Sequence, residues 1–135
     1  MKEPQKYSIL EDEPINMVNM VREGIAFPYF IKLSNHLNFS FEDWANFLHI
    51  SERTIQRYKK EKKTFDPIYS EKILQIELLY IRGIEVFGDE TKFRTWMESD
   101  IIALGSRKPK ELLDTSFGIN ILNDELGRIE HGIFA

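Results

Sequence analysis

Arginine and glutamine can make paired hydrogen bonds to the edges of guanine and adenine, and this 135-residue chain holds both in one short cationic stretch. Between Ser51 and Lys63, the residues Arg53, Arg57, Lys59, Lys60, Lys62 and Lys63 face only Glu52 and Glu61. The segment therefore carries +4 in a chain whose net charge is −4. Residues 1–64 hold ten Lys/Arg against nine Asp/Glu, and residues 65–135 hold eight against thirteen. The basic excess is thus local. If Ser51 opens a helix whose inner side is Ile55 and Tyr58, then Ser51, Arg53, Thr54, Gln56 and Arg57 occupy its first turns, off the apolar face. From there a helix lying in the major groove reaches base edges. Lys59 and Lys60 come later and suit phosphates, which give affinity without sequence reading. A solvated helix with a basic C-terminal end would show the same charge; what favours DNA is the helix that immediately precedes this one.

Other chemistries find no support. His36, His49 and His131 are scattered, with no partner at metal-ligand spacing. The seven glycines form neither a dinucleotide fingerprint nor a phosphate-binding loop. Cysteine is absent, which removes thiol nucleophiles and disulfides and fits a reducing compartment. Glu42/Asp43 and Asp89/Glu90 read as acids in first helical turns rather than as acid-base pairs. Trp44 and Trp96 follow the apolar period, which makes them core residues rather than stacking platforms. The expectation is a protein with no catalytic residue, metal or cofactor.

The elements around the basic stretch follow from period and caps. Ser40 followed by Asp43 forms a capping-box pattern that opens a helix with Trp44, Phe47 and Leu48. Ser51 caps the next after only about three residues, so the two helices must cross steeply in a helix-turn-helix. Trp44, Ala45, Leu48, Ile50, Ile55 and Tyr58 would make their shared face. Upstream, Pro14 starts a helix with Ile15, Val18, Val21 and Ile25 on one side and Gly24 near its exit, and Pro28 starts another with Phe30, Ile31, Leu33 and Leu37. Downstream, a long helix after Pro67 carries Ile73, Leu74, Ile76, Leu78, Leu79, Ile81 and Ile84 and ends at Gly88. Asp89 caps a shorter helix with Phe93, Trp96 and Met97. Ala103-Leu104-Gly105 turns, Pro109 opens a short helix through Leu113, and a last helix from about Thr115 holds Ile119, Leu122, Leu126 and Ile129. No strand alternation or repeat appears, so the fold class is all-α.

Hydrophobic residues at 42% provide for a real core. The N-terminus has no signal-peptide core, and the apolar run Ile25 to Ile31 is far short of the roughly 18 residues a membrane span needs. A soluble, cytoplasmic protein is expected.

The stretch Trp44-Ala45-Asn46-Phe47-Leu48-His49-Ile50-Ser51-Glu52-Arg53-Thr54-Ile55-Gln56-Arg57 resembles the Xre-like helix-turn-helix of Xre/ParS-type antitoxins. Val86-Phe87-Gly88, Trp96, Ala103-Leu104-Gly105, Pro109, Glu111-Leu112-Leu113, Thr115, Gly118, Leu126, Arg128-Ile129-Glu130 and Gly132 to Ala135 resemble, in order, the C-terminal toxin-binding domain of the same family. The resemblance covers about residues 14–135. It implies an antitoxin that blocks a RES-domain toxin, which consumes NAD, and represses its own operon. It also implies that Arg128, Glu130, Gly132, Ile133, Phe134 and Ala135 enter or cover the toxin's active site. The residue types suit this. Arg128 and Glu130 offer charged hydrogen bonds, Ile133 and Phe134 apolar anchors, Gly132 an exit from the helix, and Ala135 a carboxylate. The sequence departs from the family pattern in four places. His49 stands where the turn often has glycine, Ser106 and Lys110 replace a glycine and an apolar residue, and Asp100 replaces an asparagine.

The expected organisation is a flexible arm over 1–13, a DNA-binding module over 14–64 and a toxin-binding module over 65–135. The chain is expected to work as a homodimer on operator DNA. The alternative is a helix-turn-helix regulator whose C-terminal half only dimerises.

Overall fold

Four helix starts fall where a side chain takes up a loose backbone N–H, and several ends where the chain turns left-handed. The structure, a computed structural model, describes residues 14–132. The expected arm over 1–13 and the candidate toxin contacts Ile133, Phe134 and Ala135 lie outside the described residues. Seven α-helices follow in order among the described residues: α1 (Pro14–Glu23), α2 (Phe27–Leu37), α3 (Phe41–Leu48), α4 (Glu52–Glu61), α5 (Pro67–Phe87), α6 (Glu90–Met97) and α7 (Ser116–Glu130). Two 3-10 turns, Ile102–Leu104 and Pro109–Leu112, lie between α6 and α7. The fold is all-α, with two isolated bridges, Ala26 to Thr64 and Ile101 to Arg107, as its extended pairings among the described residues.

The caps match their sequence signals. Ser40 Oγ accepts from Asp43 N–H at 3.1 Å while Asp43 Oδ2 accepts from Ser40 N–H at 2.8 Å, closing the capping box. Asp89 accepts from Lys92 N–H at 2.7 Å, and Thr115 from Gly118 N–H at 2.9 Å. Gly88, at φ 93, ends α5 in the left-handed region.

Helix α5 is the spine. It is apolar on more than one face because α1, α2, α3, α6 and α7 all pack on it. Ile73, Leu74, Ile76, Leu79, Tyr80 and Ile81 are buried along it, and Gly83 takes the ring of Phe93 against its backbone. At its N-terminal end, Phe27, Phe30, Phe41, Trp44 and Phe65 form one aromatic cluster, with Phe30 and Phe65 centroids 4.7 Å apart. Such pairs add about 0.5–1.5 kcal/mol beyond the area they bury. Two polar links fasten this end. Ser70 Oγ accepts from Ile25 N–H at 2.9 Å and donates to the Phe65 carbonyl at 3.0 Å, and the Tyr29 hydroxyl donates to buried Glu77.

One expectation fails. The apolar residues Ile15 and Val18 of α1 are 59% and 40% exposed, and no residue of α1 is buried. Only Met20 and Val21 lean on the core, and Ile25 is buried after the helix has ended. Periodicity found a helix there but overstated what it covers, because α1 lies at the rim of the spine rather than inside it.

Candidate functional site

The helix-turn-helix is built by α3 and α4. Trp44, Leu48, Ile55 and Tyr58 are buried between them and the rest of the core, with Ala45 and Ile50 partly buried beside them. Ser51 caps α4, its Oγ accepting from Thr54 N–H at 3.0 Å and lying 2.9 Å from Thr54 Oγ1. Two of the seven DNA candidates thus secure the start of the helix, keeping only their remaining hydrogen-bond capacity for a ligand.

With Ile55 and Tyr58 turned inward, the 100° advance per residue places Arg53, Gln56, Arg57 and Lys60 in one stripe on the opposite side. All four are exposed. Lys59 is exposed too, on the flank nearer Ile55, and Thr54 occupies the other flank, half-buried. At the far end, Lys62 closes the helix at φ 55, and Arg57 and Lys63 lie 5.9 and 5.4 Å from the Tyr58 ring centroid. The result is a convex cationic edge that offers two guanidinium groups, an amide and an ammonium to whatever meets it. Burial pushes the Tyr58 hydroxyl above its usual value, so this tyrosine stays neutral.

The turn departs from glycine at a cost the structure makes clear. His49 adopts φ 59, ψ 41, the left-handed conformation that costs a residue with a Cβ on the order of 1 kcal/mol. Its ring reaches the module beyond, where Nε2 donates to the Asp114 carbonyl at 2.8 Å. Lys72 of α5 donates to the same carbonyl at 2.9 Å and to the Phe47 carbonyl, at the C-terminal end of α3, at 3.3 Å. Burial lowers the Lys72 pKa, partly opposed by the Asp114 charge. Lys110, unusual for its apolar family position, pairs with Asp43 at 3.1 Å and Glu98 at 3.0 Å and lies 5.4 Å from the Phe39 ring centroid. Ser106 takes φ 59 next to Gly105, in the left-handed region that favours glycine. Asp100 is exposed, and nothing in the structure explains its identity.

In the C-terminal module the candidate contacts are already engaged. Arg128 Nε and Nη2 donate to Glu125 Oε1 at 3.0 and 2.7 Å, while Glu130 accepts from Arg82 at 2.9 Å. Gly132, at φ 81, turns the chain out of α7, with its N–H on the Ile129 carbonyl at 3.3 Å. Sequence reasoning missed two exposed apolar side chains on α7. Phe117 is 83% and Ile121 46% exposed, and their spacing puts them on the same side as Arg128. The available signal was their offset from the buried positions Ile119, Leu122 and Leu126. Lys72 and the Asp114 carbonyl were also missed; no sequence signal marks a main-chain acceptor.

Among the described residues no group of three or more His, Cys, Asp or Glu is placed to hold a metal ion, and no helix is long and apolar enough to cross a membrane.

Two family models match. The antitoxin Xre-like helix-turn-helix domain covers residues 17–76, and the antitoxin Xre/MbcA/ParS C-terminal toxin-binding domain covers residues 82–132. The chain is 36% identical over 87 residues to an "Antitoxin Xre" of Yersinia enterocolitica (serotype O:8 / biotype 1B), a match spanning 64% of this chain and 59% of that protein. It is 30% identical over 115 residues to an "Antitoxin Xre" of Photorhabdus laumondii subsp. laumondii, spanning 84% of this chain and 78% of the relative. A chain of the crystal structure of the M. tuberculosis MbcT-MbcA toxin-antitoxin complex superposes with a TM-score of 0.61 at 16% identity, over 78% of this chain and 94% of that one, and so shares the fold. Helix-turn-helix, spine and C-terminal helix thus agree with sequence relatives over most of the length: this chain belongs to the Xre antitoxin family.

Proposed function

We propose that this protein is the antitoxin that neutralises a RES-domain, NAD-consuming toxin through residues 65–135, and represses its own operon as a homodimer through residues 14–64. The observation that carries the DNA half is the exposed stripe Arg53, Gln56, Arg57 and Lys60 on a capped helix whose other side is anchored in the core by Ile55 and Tyr58. Arg53, Gln56 and Arg57 would read base edges, Ser51 and Thr54 would add hydroxyl contacts at the helix start, and Lys59 and Lys60 would meet phosphates. Membership of the Xre family supports the toxin half, as does the likeness to a chain from a toxin-antitoxin complex. Arg128, Glu130, Gly132, Ile133, Phe134 and Ala135 would enter or cover the toxin's active site, with Phe117 and Ile121 extending the contact along α7. Neutralisation by occupation needs no catalytic group in this chain.

Co-expression with the neighbouring gene's product tests the reading. The neighbour alone should arrest growth and deplete NAD, and this protein should restore both. A harmless neighbour, or toxicity that persists, would leave a DNA-binding regulator whose C-terminal half serves only to dimerise. Arg57→Ala should weaken binding to the promoter-region duplex about tenfold while leaving rescue from the toxin intact, since one good base contact is worth about 1–3 kcal/mol.

A further inference from the structure

Three elements meet at one main-chain oxygen. The Asp114 carbonyl stands immediately before Thr115, the cap of α7, and accepts from both His49 and Lys72. His49 belongs to the turn between the two helices of the helix-turn-helix, two residues before the Ser51 cap of α4. Lys72 belongs to the spine and also holds the C-terminal end of α3 through Phe47. A carbonyl can only accept, so the His49 ring must carry its proton on Nε2.

The geometry points to His49 as a positioning residue for the recognition helix: by clasping the Asp114 carbonyl it ties the orientation of α4 to the first turn of α7. The strain of a left-handed, non-glycine residue supports this. A glycine would make the turn without that cost but could not reach Asp114. Lys110 adds a second, independent tie between the same modules, from the segment before α7 to Asp43 in the first turn of α3. The clasp deepens the DNA-binding reading and rests on it for its consequence, which is that a partner seated on the first turn of α7 is felt at the stripe Arg53, Gln56, Arg57 and Lys60. Coupling between two sites needs a physical element that both of them bias, and this shared acceptor is one.

Amide hydrogen exchange on the full chain tests the clasp without any partner. Thr115→Ala removes the cap on Gly118 N–H and loosens the start of α7. With His49 present, this should speed exchange of the Thr54 and Ile55 amides in α4 about fivefold, the low end of ordinary coupling energies. In a His49→Gly background, which keeps the turn, the same change should give less than half that acceleration. Asn38→Gly makes the equivalent backbone change at the left-handed end of α2 and should leave the acceleration whole, which separates the ring from simple loosening. No acceleration in the parent background overturns the clasp. So does an acceleration in His49→Gly at least half as large, or a loss in Asn38→Gly equal to that in His49→Gly. A second measurement addresses the consequence: His49→Gly should lower affinity for the promoter-region duplex about fivefold with the helical content unchanged. If the parent does not bind that duplex, the DNA reading falls while the exchange result still decides the clasp.

Discussion

Gly83 and Gly118 lack side chains because their neighbours occupy the space a Cβ would fill. A Cβ on Gly83 would lie 2.1 Å from Phe93 Cε1, and one on Gly118 would lie 1.9 Å from the Leu112 carbonyl oxygen. Replacing glycine by alanine inside a helix ordinarily stabilises by about 1 kcal/mol. Here overpacking reverses the sign, so Gly118→Ala should destabilise by roughly 2 kcal/mol, read as a lower midpoint in urea. The Gly118 clash is with main chain, which cannot rotate aside. Lys110 makes the opposite case. Burial lowers its pKa, but the bonds to Glu98 and Asp43 more than offset this, so its net shift is upward. A lysine with a raised folded-state pKa contributes stability that is whole below its unfolded value of 10.5 and is lost as pH rises through the folded one. Lys110→Met should therefore cost about 1 kcal/mol at neutral pH, with the gap to the parent closing only in strong alkali. Denaturant midpoints at neutral pH and in strong alkali check this.

At the scale of the element, the start of α3 rests on the reciprocal bonds of Ser40 and Asp43. Ser40→Ala should remove about 1 kcal/mol of stability, measured by thermal unfolding, without altering the exposed stripe of α4. That helix shows how far period and chemistry could be read in advance. The inward pair Ile55 and Tyr58 and the outward Arg53, Gln56, Arg57 and Lys60 follow from spacing alone, because a helix fixes the direction of each side chain. The commitment of the Ser51 and Thr54 hydroxyls to the cap was legible only in part, since a cap residue and a DNA contact use the same chemistry. Lys59 and Lys60 test their assigned role by salt dependence. Lys59→Gln with Lys60→Gln should flatten the slope of log affinity against log salt by about 0.9 for each phosphate no longer neutralised, while preference among sequences persists. A changed sequence preference would move them to the base-reading set.

At the scale of the whole molecule, the two modules share one wall. Helix α5 packs on α1, α2 and α3 and also on α6 and α7, and the two family matches end at residue 76 and begin at 82, both within it. Unfolding should accordingly be a single transition by tryptophan fluorescence and by helical signal, because Trp44 and Trp96 lie at opposite ends of one core. Two separate transitions would mean that the modules fold alone. Deletion of residues 132–135 should weaken toxin neutralisation with the unfolding midpoint unchanged, since α7 already satisfies its end through His131 and the Arg82–Glu130 pair. Full rescue by the shortened chain would rule out the terminal segment and leave the toxin-binding role to Arg128, Glu130, Phe117 and Ile121.

The sequence by itself determined the all-α class, nearly every helix boundary and the cationic face, because caps, prolines and the 3.6-residue period act over a few neighbouring residues. It also carried the family resemblance. Tertiary structure decided what lies between distant segments. It left Ile15 and Val18 exposed at the rim, paired Glu130 with Arg82, and brought His49, Lys72 and Lys110 to the seam between the modules. Those outcomes depend on which helix packs against which, and on main-chain acceptors such as the Asp114 carbonyl, which every residue possesses and no residue type announces.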